Sequence, residues 1–227
     1  MSIKIEKTEV FGWEAAIRGC RNSYNSWNKS DSGQESIYGI AFRFKVGEND
    51  LKLMKSLSKA GDDHAKFLRM INVTCDITAP LYWWKEFDTY KVGTVANSCS
   101  TMHKIHAKEF TFDDFSHEKL INSACMEIQE QYIRISPIQS LATTIECLNS
   151  YRDLYLKTKD KKYWWQMIQL LPSSYNQKRT VQLNYQVLKN MYFARKGHRL
   201  DEWKALRQWM ETLPYFREVV IQNDCEV

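Results

Sequence analysis

The chain has 227 residues, a formal net charge of +5 and a hydrophobic share of 44%. This length is enough to bury a core without disulfides, and the six cysteines form no CxxC pair, so neither a zinc ribbon nor a thioredoxin-like site is indicated. No run approaches the ~18 apolar residues of a membrane span, and the first residues lack the apolar core of a signal peptide. We therefore expect a reduced, cytoplasmic protein with no membrane partner.

The positive charge is spread along the chain and is dense only in the run KDKKYWW, residues 159–165. Duplex binders usually collect Lys and Arg on one face, and short charge runs are mostly solvated helix ends, so we expect no polymeric nucleic acid as a partner. Eight Trp and twelve Tyr exceed what a core of this size needs. The excess favours flat-ligand pockets or subunit interfaces beside ordinary core packing, and thus a homo-oligomer.

The N-terminal half alternates between strand and helix patterns. Apolar residues recur with period two, then with helical spacing, then as a β-branched run, and Pro80 suits the first turn of a second helix. The stretch after that helix, residues 91–103, has no period, and we interpret it as an irregular loop delivered to a cleft. The predicted strands and helices cover residues 3–10, 49–61, 70–78 and 80–90.

The C-terminal half has mainly helical patterns. Residues 116–156 read as helix with a break where Ser136 precedes Pro137, because a residue before proline disfavours helix. A further helix ends at Pro172. The remaining segments are a strand over 177–185 and helices over 186–197, 200–213 and 215–222. No linker or repeat interrupts the chain, so we predict one domain, 1–227, of mixed α/β class.

Two stretches carry a family resemblance. ITAPLYWWKEFDTYKVGTVANSCS, residues 77–100, and LLPSSYNQKRTVQLNYQVLKNMYFAR, residues 170–195, resemble the flavin-dependent thymidylate synthases. Weaker similarity extends over WEAAIRGCRNSY and HRLDEW. The residues that match the family's spacing in the second stretch are Leu171, Pro172, Tyr175, Asn184, Asn190 and Arg195.

The resemblance implies a fold, ligands and a site. The implied fold is α/β of the α+β type, a mostly antiparallel sheet covered by long helices, assembled as a tetramer. FAD is the implied cofactor, and dUMP-to-dTMP C5 methylation is the implied activity. The implied cofactor-binding residues are Lys91, Asn97, Asn184 and Asn190. The implied residues for the small-molecule nucleotide are Ser100, Arg195 and His198, and neither a catalytic residue nor a metal site is assigned.

The chain departs from the family at its charged positions. The place of the Arg-His-Arg signature reads Thr89, Tyr90 and Lys91. Each charge-assisted contact is worth about 1.5 to 3 kcal/mol, so losing several weakens a phosphate ligand greatly. A non-catalytic or repurposed nucleotide-binding or assembly protein is therefore the alternative to an active methyltransferase. Other basic positions of the family read Met102, Ile168 and Gln186.

Each candidate residue also has a structural interpretation. Arg195 follows a helix, where a cation complements the helix dipole, and Asn184 and Asn190 are residues that cap helices or bond between them. Loop serines such as Ser100 usually bond the backbone. His64 lies where the family has a polar flavin-side cluster, but a surface or capping role is the simpler interpretation. These alternatives stay open at the level of sequence.

Overall fold

The computed structural model of the chain describes residues 3–37, 41–122, 126–128 and 131–222. Strands and helices alternate through these residues. The strands are β1 (Lys4–Phe11), β2 (Gly33–Ile37), β3 (Ala41–Lys45), β4 (Asn72–Pro80), β5 (Val95–Ser98), β6 (Met126–Ile128), β7 (Gln131–Ile133) and β8 (Asn176–Asn184). The α-helices are α1 (Trp13–Asn22), α2 (Glu48–Lys59), α3 (Leu81–Phe87), α4 (Thr101–Lys104), α5 (Pro137–Thr158), α6 (Lys161–Leu170), α7 (Tyr185–Ala194) and α8 (Asp201–Met210).

Four strands form the main sheet, in the order β1-β4-β8-β5. The pair β2 and β3 is an antiparallel hairpin in which Gly33 faces Lys45, and β6 pairs antiparallel with β7. In β4 every second side chain is buried, from Val73 to Ala79, as expected of a strand with one face on a core. The prediction of a mixed α/β fold with an antiparallel sheet and helices is confirmed.

Side-chain caps set where α5 and α6 begin. Ser136 and Gln139 form a reciprocal capping box at the start of α5, with Pro137 as the first helical residue. Asp160 caps α6 by accepting from the backbone N–H of Lys162, at 2.9 Å. The predicted break at Ser136 is therefore confirmed, because the N-cap satisfies the free N–H groups of a new helix.

Two sequence predictions are wrong in part. Where the structure describes residues 116–135, they form no helix and contain β6 and β7, and residues 123–125 and 129–130 of this prediction lie outside the described residues. The backbone N–H of Ser116 donates to the Ser174 carbonyl at 2.8 Å, and Phe115 bridges Tyr175. Those bonds occupy the groups that a helix would use locally. The stretch 91–103 is also less irregular than predicted, because residues 95–98 form β5 at the sheet edge. The β2–β3 hairpin was not predicted.

The chain divides into two compact units. Unit 1 comprises Met1–Lys4, Ile77–Asp88 and Asn97–Arg179. Unit 2 comprises Ile5–Asp76, Thr89–Ala96 and Thr180–Val227. Each unit has a core of its own, and the single domain over 1–227 stays a prediction.

Aromatic rings dominate both cores. In unit 2, the Tyr185 ring meets Trp13 and Phe216 edge to face, and its hydroxyl donates to the Pro214 carbonyl at 2.6 Å. In unit 1, Trp83, Trp84 and Phe87 of α3 contact one another with centroids 4.9 to 5.1 Å apart. A second unit 1 cluster joins α5 and α6 to the segment before them: Ile105, Phe110, Phe115, Leu141, Ile145, Leu148 and Met167.

A buried ion pair ties α1 to α2 in unit 2. The Arg21 Nε donates to Asp50 Oδ1 at 2.7 Å, and both side chains are almost fully buried. The other oxygen of Asp50 accepts from the hydroxyls of Ser30 and Ser32, at 2.7 and 2.6 Å, and from two backbone N–H groups. The carboxylate is therefore fully bonded, which a buried charge requires.

This network makes stability depend on pH. Burial raises the pKa of Asp50, but hydrogen bonds from Ser32, Ser30 and Arg21 outweigh it and hold the pKa below its ordinary 3.8. A carboxyl with a depressed folded-state pKa stabilises the fold above its unfolded pKa, and the contribution is lost as pH falls through the folded value. We expect the free energy of unfolding, measured with urea, to fall below pH 4. Asp50→Asn should reduce that dependence, and an unchanged pH profile would contradict it.

Candidate functional site

In unit 2 the segment Thr89–Thr94 lies along α7. At one end the Tyr90 hydroxyl accepts from Arg195 Nε at 3.0 Å. At the other end Gly93 approaches the start of the helix so closely that a Cβ on it would come 3.1 Å from Asn184 Nδ2. Lys91 lies between these two contacts in sequence and is exposed. The segment Thr89–Thr94 thus carries Lys91 and lies close to Arg195 at one end and to Asn184 at the other.

Arg195 is held by two aromatic rings. Its guanidinium carbon is 4.4 Å from the Trp203 ring centroid and 5.4 Å from that of Tyr90. Trp203 is fully buried, so the stacked face is fixed. His198 meets Trp203 edge to face, with centroids 6.1 Å apart, and its Nδ1 accepts from the backbone N–H of Leu200. Arg195 and His198 are therefore brought together at the Trp203 ring.

The two asparagines of α7 also bond within the protein. Asn184 is the N-cap and its Oδ1 accepts from the Val187 N–H at 3.0 Å. Asn190 is exposed and its Oδ1 accepts from Gln186 Nε2 at 3.2 Å. Capping is thus observed for Asn184, whereas Asn190 bonds along its own helix and not between helices. These bonds leave open a second role for each amide group.

The close approach at Gly93 predicts a stability effect. Gly93 has φ +76°, a conformation that costs other residues about 1 to 2 kcal/mol, and a Cβ would crowd Asn184 and Val187. We expect Gly93→Ala to lower the free energy of unfolding by about 1 to 2 kcal/mol. Gly33→Ala is the control, because no atom lies within 4 Å of its Cβ position. Equal unfolding energies for the two variants would contradict the prediction.

The unit 1 candidates lie on β5 and just after it. Asn97 is exposed on the edge strand, and the backbone N–H of Cys99 donates to the Lys178 carbonyl at 2.9 Å. The Ser100 hydroxyl accepts from the His103 N–H at 3.0 Å and so caps the short helix α4. A backbone-bonded serine was the structural interpretation of Ser100, and that bond is present.

The positions that lack the family's basic residues carry neutral side chains. Ile168 packs against the unit 1 cluster of α5 and α6, and the exposed Met102 offers only its carbonyl, to Trp164 Nε1. In unit 2, Gln186 is buried, and its Oε1 has no hydrogen-bond partner in the described part of the chain. None of these three side chains supplies charge for a phosphate.

A cavity of about 420 Å³ opens in unit 2 between α1, α2 and the segment before β4. Its size is within the usual range for small-ligand sites. Cys20 in its wall is no nucleophile, because burial, then the charge of Asp50, raises its pKa to about 12. Its polar lining residues are Ser23, Asp63, His64 and Lys66, and its apolar ones include Leu57, Phe67, Met70 and the ring of Tyr24.

Sequence reasoning assigned none of these cavity residues to the site. The signal for them was weak but present, because His64 lies where the family has a flavin-side cluster and Ser23 lies in the weakly similar stretch WEAAIRGCRNSY. Lys66 had no such signal. A cation in a cavity wall becomes apparent only once α1 and the segment before β4 are placed together.

Across the described residues, no three His, Cys, Asp or Glu side chains are grouped to hold a metal ion. No helix in the part of the chain that the structure describes is long and apolar enough to cross a membrane.

Comparison with known proteins finds relatives in structure only. No protein-family model and no curated protein matches the sequence. Thymidylate synthase X (ThyX) from Helicobacter pylori with FAD and dUMP matches with a TM-score of 0.64 and 15% identity over 97% of both chains. A second structure of that flavin-dependent enzyme with the same ligands matches at 0.64 and 16% over 100% of both. The UMP/dUMP methylase PolB from Streptomyces cacaoi, bound with 5-Br UMP, matches at 0.56 and 15% over 93% of this chain and 88% of PolB.

These matches define the fold. The chain is a mixed α/β protein in which the strands of the main sheet alternate along the sequence with helices of up to 22 residues. It has the fold of the flavin-dependent thymidylate synthases, over its whole length. The predicted resemblance is thereby confirmed at the level of fold.

Proposed function

We propose that this protein binds a flavin and a pyrimidine nucleotide on a thymidylate synthase-like fold, with weakened C5 methylation of the dUMP-to-dTMP type. The observation that carries the proposal is the match over 97% or more of the chain to structures that hold FAD and dUMP together. The match to PolB, a methylase bound with 5-Br UMP, supports a pyrimidine nucleotide in particular.

The residues present fit FAD as the cofactor. Lys91 is an exposed cation for its phosphates, and Asn184 and Asn190 offer amide groups for a ring edge or ribityl chain. Asn97, exposed on β5, is the fourth proposed partner. A bound reduced flavin supplies the hydride, and the protein's part is to position and tune it.

The nucleotide is assigned to Arg195, His198 and Ser100. Stacking on Trp203 fixes the plane of the Arg195 guanidinium, which reduces the entropy lost when it binds a phosphate. The unit 2 cavity has polar lining residues of its own, and Lys66 and His64 are those suited to binding an anion. These cavity residues are our addition to the candidate site.

One alternative function has support of its own. Ile168 in a hydrophobic cluster and the buried Gln186 remove charge where the resemblance implies basic residues, and Ser100 and Asn184 already cap helices. A non-catalytic or repurposed nucleotide-binding or assembly protein would need none of those charges. In either case we propose a cytoplasmic homo-oligomer, a tetramer by resemblance.

Thermal-shift screening tests the proposal. The purified chain is melted with FAD, FMN, dUMP, UMP and folate, each at a series of concentrations. A ligand at 100 times its dissociation constant adds about 2.7 kcal/mol of stability. We expect FAD and at least one pyrimidine nucleotide to raise the melting temperature. The absence of any shift, together with no flavin absorbance in the purified protein, would refute it.

A further inference from the structure

We propose that the tip of the α5–α6 helical pair in unit 1 binds single-stranded nucleic acid. The basic-aromatic tip comprises residues 152–165 together with Lys104 and His106. Residues 152–165 alone contain five basic and two acidic side chains, and four aromatic ones. The combination of a cationic track with aromatic rings is what sequence-tolerant binding of single strands uses.

The fold concentrates cations that are far apart in sequence. Arg152 Nε donates to the carbonyl of His106 at 3.1 Å, which ties α5 to the segment after α4. The His106 ring lies 4.9 Å from the Tyr155 ring, which Lys159 Nζ approaches to 5.7 Å. Burial, then the charges of Lys159, Lys104 and Arg152, lowers the pKa of His106. In the described part of the chain, neither Lys104 nor Lys159 has a carboxylate within ion-pair distance. This is an excess of positive charge on one surface.

The two acids of the tip do not cancel that excess. Asp153 pairs with Arg152 at 3.2 Å, and Asp160 pairs with Lys162 at 3.1 Å while capping α6. Lys157, Lys159 and Lys161 remain as exposed cations around these pairs. A polyanion would therefore meet at least three lysines without displacing an ion pair.

Aromatic rings lie among these cations. Trp165 is 42% exposed, and Lys161 Nζ is 5.6 Å from its ring centroid. Lys159 Nζ lies 5.7 Å from the Tyr155 ring, and Lys162 Nζ lies 4.7 Å from the Tyr163 ring. Each pair places a phosphate-binding charge beside a flat face on which an unpaired base can stack.

The observations favour a single strand over other polyanions. Duplex binders insert a helix or ribbon into a groove, whereas this tip is the turn between two helices packed on each other. An acidic protein would use the charge but gives no specific use to the aromatic rings beside Lys159, Lys161 and Lys162. An anionic membrane is best bound by the apolar face of an amphipathic helix, whereas this tip is a turn between two helices. The sequence-based expectation of no nucleic acid considered only the run 159–165, and the fold adds Lys104, His106 and Arg152 to it.

Fluorescence anisotropy with a 5′-labelled 12-nucleotide oligo(dT) tests the inference on the full chain. If about four phosphates are contacted, the affinity should fall roughly 50-fold between 50 and 200 mM salt, as the slope for single strands implies. The charge variant is Lys159→Glu with Lys161→Glu, and the stacking variant is Trp165→Ala. Their matched controls are Lys52→Glu with Lys55→Glu on α2, and Trp27→Ala, which is 54% exposed in unit 2.

We expect each tip variant to weaken binding at least fivefold and each control to leave it within twofold. The 12-base-pair duplex of the same length should bind more weakly than the single strand. No measurable binding of oligo(dT) at 50 mM salt would overturn the inference. It would also be overturned if Trp165→Ala binds normally while polyglutamate or anionic vesicles compete equally well, because the tip would then attract any polyanion.

Discussion

Asp50→Ala is expected to lower the free energy of unfolding by about 3 to 5 kcal/mol. The substitution removes one partner of a buried ion pair and leaves the Arg21 guanidinium without its carboxylate, which is the costly case for buried charges. It also removes the acceptor of the Ser30 and Ser32 hydroxyls, which hold the segment before β2 against α2. Urea denaturation followed by circular dichroism measures the loss.

Glu35→Ala is the matched control for this prediction. Like Asp50, Glu35 forms ion pairs, in its case with Arg43 and Lys45, but these pairs lie on the surface of the β2–β3 hairpin. Exposed pairs of this kind contribute little, because water and salt screen them. A loss for Asp50→Ala no larger than that for Glu35→Ala would contradict the account of the buried network.

A thymidine-requiring strain that carries this gene alone is expected not to grow without thymidine. Met102, Ile168 and Gln186 stand where the resemblance implies basic residues, and each lost charge-assisted contact costs about 1.5 to 3 kcal/mol. At about tenfold for each 1.4 kcal/mol, the losses amount to several orders of magnitude in affinity. Phosphate binding also positions the ring, so the rate should fall as well.

Helicobacter pylori ThyX expressed from the same vector is the positive control for growth. Arg179 is poorly placed to replace the lost charges, because it pairs with Asp88 at 2.7 Å, bonds Gln177 and stacks on Trp84 at 4.2 Å. Growth at a rate comparable to the control would show that other groups compensate, and would restore an active synthase as the proposed function.

The sequence allowed much of the fold to be predicted because local signals agreed with it. A capping residue precedes α5, α6 and α7. The period-two pattern of β1 and the β-branched run of β4 match the strands that form. Local signals failed where hydrogen bonds between residues far apart in sequence determine the structure. The backbone N–H of Ser116 bonds the carbonyl of Ser174, which is far away in sequence. The helical pattern after residue 116 therefore did not correspond to a helix in the described part of that stretch.

The site was predictable only residue by residue. Arg195, His198 and Asn184 were implied by the family resemblance, but the stacking of Arg195 on Trp203 joins α7 to α8 and has no local pattern. The cavity with Lys66 and Ser23 likewise depends on how α1 packs in unit 2. Such arrangements follow from tertiary packing, which a single sequence does not encode in any short window.

Calorimetric titration tests whether the chain binds FAD and a pyrimidine nucleotide. FAD is titrated into the purified chain, and dUMP or UMP is then titrated into the FAD-saturated protein. We expect FAD to bind saturably and Lys91→Ala to weaken that binding. We also expect a pyrimidine nucleotide to bind saturably and Arg195→Ala to weaken its binding about tenfold or more, because a charge-assisted phosphate contact is lost. Lys52→Ala, on α2, should change neither. If neither FAD nor a pyrimidine nucleotide binds the intact chain, the account is wrong and the fold serves a function without these ligands.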